Sequence, residues 1–188
     1  VNMNSIVRNV FWGELICLSL FFASCSDDSE PVCTLPISTK EMIYQVAQLT
    51  INTENAAPIM GKDKKDYVNC TFIIDSEIEE WDYNGTGRIR GRGNSTWLWY
   101  PKKPYRIKLD KKSEILGLAT EKDWVLLANY RDPTHMMNTF TFIAGEKLGL
   151  PYTNHSRYVE VTLNGDYIGL YQLTEQVEQG SSLSLIHI

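Results

Sequence analysis

The 188-residue chain has few of the residues that bind metals through sulfur or imidazole. It contains four cysteines and three histidines, and none of them forms a C-x-x-C pair or a His-x-x-x-His pair. Zinc-type ligand spacing is therefore missing. Two cysteines, Cys33 and Cys70, lie outside the N-terminal leader, and their spacing leaves open whether they pair.

Positive charge is also scarce overall, with 18 Lys and Arg against 23 Asp and Glu and a formal net charge of −5. This excludes the broad basic footprint that is typical of nucleic-acid binding. The positive charge is instead concentrated in the 86–112 segment, which carries nine cations and the single acid Asp110. Such a local basic stripe on an acidic protein suits a small polyanion better than a long one.

Long apolar runs are missing as well. The run LICLSLFFA at 15–23 is shorter than the ~20 residues that a membrane-spanning helix needs. Arg8 before it and Ser24-Cys25 after it predict a secretion signal. The residues FFASC resemble a bacterial lipobox, and SDDSEP resembles an acidic surface tether. We predict a lipoprotein signal at 1–25, lipidation of Cys25 and a polar tether at 26–36. A simple cleaved signal or an uncleaved anchor is the alternative.

The remaining sequence predicts one α+β domain over 37–178. Alternating and β-branched residues predict strands at 49–59, 66–76, 104–110 and 124–128. The segments RYVEVTL and DYIGLYQL flank Asn164-Gly165, which predicts a hairpin with a type I′ turn.

One helix is expected after the strand at 124–128. Asp132-Pro133-Thr134 supplies residues that start helices, and Gly149 supplies a stop. An apolar face at helical spacing between these signals predicts packing into the core. Its residues are Met136, Phe140, Ile143 and Leu148.

The segment GRGNSTW at 91–97 lies between two predicted strands. Glycine allows close backbone approach, and successive N–H groups can form an anion-binding concavity, although the same composition suits an ordinary turn. A glycine-containing loop, a strand lysine in RIKL, a helix and a hairpin together resemble the layout of a protein-kinase small lobe.

Four longer segments, RIRGRGNSTW, KKPYRIKLD, DWVLLANYRD and VEVTLNGDYIGLYQLTEQVE, resemble the CotH kinase family. The resemblance covers about 35–178. It implies an α+β fold: a kinase-like small lobe, mostly antiparallel sheet with a helix, truncated before most of the large lobe. It also implies an atypical secreted Ser/Thr kinase that uses ATP with Mg²⁺ or Mn²⁺ to phosphorylate proteins outside the cytoplasm. Some members instead bind host surface proteins as adhesins.

The resemblance assigns a phosphate-facing loop and a phosphate-pairing lysine. Lys108 is the preferred lysine, with Lys102 and Lys103 as rivals, and Glu175 is expected near the nucleotide or the hinge. Trp97 and Tyr105 are expected to pack rather than to touch adenine. The loop residues are Arg92, Gly93, Asn94, Ser95 and Thr96.

Two departures from the family pattern qualify these expectations. Met137 stands where the family usually has Arg, which removes a charge from the helix. The catalytic and metal-binding Asp residues of the family follow the L-x-E stretch, and the 179–188 tail resembles none of it. We therefore expect an exported fragment with no catalytic residue or metal ligand of its own, inactive alone, whose parent is a kinase at the bacterial outer membrane or cell surface. The expected partners are a protein substrate or host surface protein and the membrane, with no nucleic acid; the alternative is a non-catalytic surface binding module.

Overall fold

The computed structural model describes residues 46–177, and seven strands in this range form a closed barrel. The order around the barrel is β1-β2-β3-β4-β5-β7-β6. All neighbouring strands are antiparallel except β1 and β6, which run parallel and close the barrel. The strands are β1 Ala47–Thr53, β2 Val68–Asp75, β3 Tyr83–Gly91, β4 Tyr105–Ser113, β5 Glu121–Leu127, β6 Ser156–Leu163 and β7 Asp166–Glu175.

Helices are few in the described residues. The short helix α1 spans Ser95–Leu98 and the longer helix α2 spans Met137–Lys147. Three single-turn 3₁₀ helices lie at Glu54–Ala56, Lys64–Asp66 and Glu79–Trp81. Most of the described structure is therefore sheet and connecting loop.

The barrel interior is a packed hydrophobic core. Side chains at alternate strand positions point inward, and Ile51, Ile89 and Leu126 are each 0% exposed. The void among the core side chains is only about 20 Å³. This void is too small for a ligand.

The predicted hairpin is confirmed. β6 and β7 pair directly, with Leu163 opposite Asp166. The two turn residues, Asn164 and Gly165, both have positive φ, at 52° and 89°. This is the backbone that a type I′ turn requires and that the Asn-Gly dipeptide adopts readily.

The predicted kinase-like small lobe with its α+β sheet and helix is wrong. The parallel pairing of β1 with β6, for example Gln48 with Glu160, joins the two edges of the sheet. Inward side chains from the strands then fill the interior, so the sheet needs no helix to cover it.

The apolar residues of α2 are correspondingly exposed rather than in the core. Phe140 is 72% exposed, and Leu148, which follows the last residue of the helix, is 81% exposed. Polar contacts bring α2 to the barrel instead, since the Thr139 and Tyr158 hydroxyls lie 2.6 Å apart. The prediction of a core-packed apolar face was therefore wrong.

Several sequence predictions fall outside the described residues. These are the signal at 1–25 with its lipidation residue Cys25, the tether at 26–36, Cys33 and the tail at 179–188. Cys70, the possible partner of Cys33, lies buried in the barrel core. Burial there raises the pKa of its thiol to about 12.

Candidate functional site

The GRGNSTW segment leaves the end of β3 and folds back toward the start of β4. The Arg92 N–H donates to the Pro104 carbonyl oxygen at 3.0 Å and closes the base of the loop. Inside the loop, the Trp97 N–H donates to the Asn94 carbonyl oxygen at 3.1 Å as α1 begins. The backbone of the loop is thus held at the barrel end where β3 stops.

Both glycines of the segment are required by close contacts. Gly93 has a φ of 89°, and a Cβ on it would lie 2.1 Å from Thr96 Oγ1. A Cβ on Gly91 would lie 2.6 Å from the Trp97 ring. The glycines therefore let the chain turn while Trp97 packs against the core and Thr96 stays on the outer side of the loop.

The segment after β5 faces this loop, because Tyr105 at the start of β4 pairs with Leu126 near the end of β5. It leads into α2 through Asp132, whose carboxylate accepts the Thr134 hydroxyl at 2.6 Å and the Met137 N–H at 2.8 Å. The Thr134 hydroxyl, followed by the Met137 N–H, holds the pKa of Asp132 below its ordinary value.

The loop and the segment after β5 enclose a cleft of about 320 Å³, which we call the Arg92 cleft. Three of its side chains are cationic and one is a carboxylate. Its charged, polar and aromatic lining residues are Arg92, Thr96, Tyr100, Lys102, Asn129, Tyr130, Arg131, Asp132 and Asn138. The cleft is therefore electropositive within an acidic protein.

Arg92 is a partly buried cation with no counter-charge among the described residues. Its guanidinium makes no hydrogen bond or ion pair with any other residue of the 46–177 range. Burial lowers the pKa of Arg92, and the neighbouring cations Arg106 and Arg90 lower it further. An anion entering the cleft would relieve both effects.

Lys102 is a second cation of the cleft that lacks a carboxylate partner among the described side chains. Its Nζ donates to the Leu170 carbonyl oxygen and lies 4.5 Å from the centre of the Tyr171 ring. Burial lowers the pKa of its ammonium group. The lysine is thus held beside β7 by a neutral oxygen and an aromatic face.

The other two lysines considered from sequence lie elsewhere. Lys108, the preferred one, is on the outer face of β4, where its Nζ is 3.5 Å from Asp123 Oδ2. Lys103 donates to the Trp97 carbonyl oxygen at 2.6 Å, at the end of α1. Of the three candidates, only Lys102 lines the Arg92 cleft.

The loop residues Gly93, Asn94, Ser95 and Thr96 divide in the same way. Thr96 lines the cleft, whereas the Asn94 side chain accepts a hydrogen bond from Lys62 Nζ at 2.5 Å. Gly93 supplies the turn, and Ser95 is the first residue of α1 and does not line the cleft.

Glu175 does not line the cleft. It pairs with Trp124 at the end of β7 and is 1% exposed. Its Oε2 accepts the His155 N–H at 3.0 Å, while its Oε1 has no hydrogen-bond partner. The structure therefore separates Glu175 from Arg92 and Thr96.

The sequence reasoning missed a polar network that holds the far wall of the cleft. Gln172, 0% exposed on β7, accepts the Asn129 side-chain amide at 2.9 Å. Asn129 Oδ1 in turn accepts the Asn138 amide at 2.9 Å. The structural sign of this network is Gln172, which is buried although it lies on the outward side of β7. The packing of α2 over β7 buries it, and its amide is hydrogen-bonded there.

A larger cleft, of about 390 Å³, opens where β1 begins. Its lining includes Ile78, Trp81 and Leu116, and none of the sequence-predicted site residues. Its one cation, Arg157, already lies 5.2 Å from the Trp81 ring and donates to the Leu116 carbonyl oxygen. The Arg92 cleft is therefore the better candidate for an anion.

Neither metal ligands nor a membrane-spanning helix stand out in the described range. No group of three or more His, Cys, Asp or Glu residues there could hold a metal ion. The cleft carboxylate of Asp132 already accepts hydrogen bonds from Thr134 and Met137.

No helix in this part of the chain has the length and apolar character to cross a membrane.

Comparison with protein families finds a match over the second half of the chain. The family described as CotH kinase protein matches residues 89–184, just over half of the chain. The match includes every lining residue of the Arg92 cleft. Comparison with curated protein sequences finds no significant match.

Proposed function

The chain belongs to the CotH kinase family, and on that premise we propose that the Arg92 cleft binds the triphosphate of ATP. The observation that carries this proposal is the pair of desolvated cations, Arg92 and Lys102, that lack a described carboxylate partner. Removing cations from water without a counter-charge costs free energy. A bound polyphosphate would supply the counter-charge, so the desolvation free energy of the two cations would be recovered on binding.

The chemistry of the lining suits phosphate oxygens. A guanidinium donates two parallel hydrogen bonds to a phosphate, and an ammonium group acts as a point charge. The Thr96 hydroxyl adds a neutral donor in the same cleft. Arg92 and Lys102 lie near the two ends of the loop between β3 and β4, and Thr96 lies between them in sequence. This arrangement would let the three side chains hold neighbouring phosphates.

ATP would supply the phosphoryl group that a protein kinase transfers to its protein substrate. Mg²⁺ or Mn²⁺ would accompany the nucleotide, and the described residues contribute no carboxylate cluster to hold either ion. We infer that the protein acts outside the cytoplasm as a surface lipoprotein, because the 1–25 segment has a signal-like pattern ending in Cys25.

Calorimetric titration with inorganic tripolyphosphate and with ATP, each with Mg²⁺, tests the cleft. We expect saturable binding that weakens by about tenfold or more in Arg92→Gln and in Lys102→Met, because each substitution removes a charge-assisted hydrogen bond. Arg88→Gln and Lys108→Met remove the same charges from the outer faces of β3 and β4 and serve as matched controls.

Equal weakening by Lys102→Met and Lys108→Met would show that general charge, rather than the cleft, attracts the ligand. No saturable heat from either ligand would instead favour a non-catalytic binding module. The exposed apolar residues of α2, such as Phe140 and Ile143, give that second function its specific support, because such patches often contact other proteins.

The export proposal has its own experiment. Expression in a bacterial host with labelled palmitate should incorporate label into the full chain and not into Cys25→Ser. Label retained by Cys25→Ser would contradict lipidation at this residue.

A further inference from the structure

The outer surface of β3 and β4 carries four cations that do not line the Arg92 cleft. The register places Arg88 directly opposite Lys108, and Arg90 directly opposite Arg106. Like charges that face each other across two strands are destabilising. We call these four residues the β3 basic face. Packing of the barrel gives no reason for it, whereas a bound anion would offset its cost.

The two strands of this face differ in counter-charge. Asp123 of β5 contacts both cations of β4, since its Oδ1 is 2.8 Å from the Arg106 guanidinium and its Oδ2 is 3.5 Å from Lys108 Nζ. Arg88 and Arg90 make no ion pair with any carboxylate of the 46–177 range. Positive charge is therefore uncompensated along β3.

Tyr67, just before β2, holds the two arginines of β3 in place. Its ring centre lies 5.2 Å from Arg88 Cζ and 5.1 Å from Arg90 Cζ, within the range of cation–π contacts. Arg90 also donates to the carbonyl oxygens of Lys62 and Gly91. The exposed Arg88 has the Tyr67 ring as its contact, so its N–H groups stay open to a ligand.

The spacing on this face matches an extended peptide. Side chains two residues apart on a strand, such as those of Arg88 and Arg90, are about 6.6 Å apart. An extended peptide repeats its side chains on one side at the same interval. Carboxylates at alternate positions of such a peptide would therefore meet both arginines together.

The surroundings of the face favour a polar partner over a lipid surface. Among the described residues, none of the exposed large hydrophobic side chains lies on β3 or β4. Peripheral membrane binding inserts such side chains into the lipid boundary. Asp110, the next outward residue of β4 after Lys108, accepts the Thr86 hydroxyl at 2.6 Å and marks one end of the face.

We propose that the β3 basic face binds an extended acidic segment of a partner protein, with alternate carboxylates on Arg88 and Arg90. Arg106 and Lys108 are already in contact with Asp123, so they add attraction at longer range. This surface is separate from the Arg92 cleft and does not depend on whether the cleft binds ATP.

Fluorescence anisotropy with two labelled peptides of equal length and composition tests the face. One peptide repeats Glu-Thr. The other repeats Glu-Glu-Thr-Thr, in which no two glutamates are two residues apart. Each is titrated with the unsubstituted full chain and with Arg88→Gln, Arg88→Lys and Lys147→Gln. Lys147, exposed in the last turn of α2, is the charge control.

We expect the Glu-Thr peptide to bind the unsubstituted chain about fivefold more tightly than the other peptide. Arg88→Gln should remove this preference, because it leaves one arginine on β3 in register with the glutamates. Arg88→Lys should restore most of the affinity, and Lys147→Gln should leave the preference unchanged. Chemical denaturation checks that Arg88→Gln is folded.

Equal binding of the two peptides would overturn the proposal, as would equal weakening by Arg88→Gln and Lys147→Gln, since either result would mean general charge attraction. Binding to phosphatidylglycerol vesicles without binding to either peptide would also overturn it and would indicate a lipid surface. Failure of tripolyphosphate or ATP to bind would count against the Arg92 cleft alone.

Discussion

Lys102 and Lys108 belong to the same basic segment, yet the barrel gives them opposite surroundings. Lys108 lies on the outer face of β4 beside Asp123, which also accepts a hydrogen bond from Arg106 at 2.8 Å. Lys102 lies in the Arg92 cleft with a carbonyl oxygen and an aromatic ring as its neighbours. The difference shows that the groups already in contact with a cation decide whether that cation is available to a ligand.

The energetics of the two sites differ accordingly. The Lys108 side chain is 34% exposed, so it keeps contact with water, and it also has the buried carboxylate of Asp123 as a counter-charge. Lys102 has lost water without gaining a counter-charge, so it carries a cost that an anion can offset. Three substitutions and one pH titration test this contrast.

The largest effect should come from adding a second carboxylate to the cleft, in the loop that carries Arg92. Thr96→Asp adds a negative charge to the cleft that contains Arg92 and Lys102, so it should weaken tripolyphosphate binding by about 100-fold. Calorimetry measures the change. Thr96→Asn, similar in size and neutral, is the control, and equal losses in both variants would mean that the added charge is not responsible.

A smaller loss should follow from disturbing the loop that carries Thr96. Gly93 and Gly165 have the same φ of 89°, but only at Gly93 would a Cβ meet a close neighbour, Thr96 Oγ1. Each Ala substitution should lower the free energy of unfolding by about 1–2 kcal/mol. Only Gly93→Ala should also weaken tripolyphosphate binding, by about tenfold, because Thr96 must rotate.

Chemical denaturation gives the stabilities, and calorimetry gives the affinities. If Gly165→Ala weakened ligand binding as much as Gly93→Ala, the loop geometry would not explain the loss.

A gain is expected at Met137, where the resemblance to the family predicts an arginine. Met137, 68% exposed, lines the cleft, whereas neighbouring Met136, 62% exposed, does not. Met137→Arg should tighten tripolyphosphate binding by about fivefold, since it adds a cation to the cleft wall. Met136→Arg adds the same charge outside the cleft, and an equal gain there would point to long-range attraction alone.

The smallest effect concerns pH. The pKa of Lys102 is lowered by burial, and a bound anion favours the protonated form and so raises that pKa. Affinity should therefore be greatest below the pKa of the empty cleft and fall about threefold as pH rises through it, at values below the ordinary lysine pKa of about 10.4. Calorimetry at a series of pH values measures the decline.

Lys102→Arg should flatten this profile, because a guanidinium stays protonated throughout the range. The ligand titrates identically with both proteins, so its own ionisation cancels in the comparison. Identical slopes for the two proteins would exclude Lys102 as the titrating group.

Local features of the fold were predictable from sequence because neighbouring residues determine them. Asn164-Gly165 specifies its turn, and the loop between β3 and β4 is confirmed. The closure of the barrel was not predictable, since it depends on β1 pairing with β6 and on β5 pairing with β7. The first pairing joins strands separated by four others in the sequence, and the second passes over β6. No local sequence pattern encodes either pairing.

The site shows the same limit. Sequence reasoning selected the loop that includes Arg92 and Thr96, which line the cleft. It preferred Lys108 because alternation in RIKL puts that residue on the polar face of β4. The register that brings Asp123 of β5 opposite Lys108 could not be derived from either strand alone. The buried partners of Asn129 were hidden for the same reason.

The parallel closure of β1 against β6 also constrains how the chain reaches its folded state. Gln48 donates to Glu160 at 2.8 Å across 112 positions of sequence. During synthesis, β1 can pair with β2 on one side while its other edge waits until nearly the whole domain has been made. Non-local pairing of this kind slows folding and leaves a strand edge open in the meantime. The first strand of the barrel therefore waits the longest for its second neighbour, and its free edge is exposed to misassociation until β6 emerges.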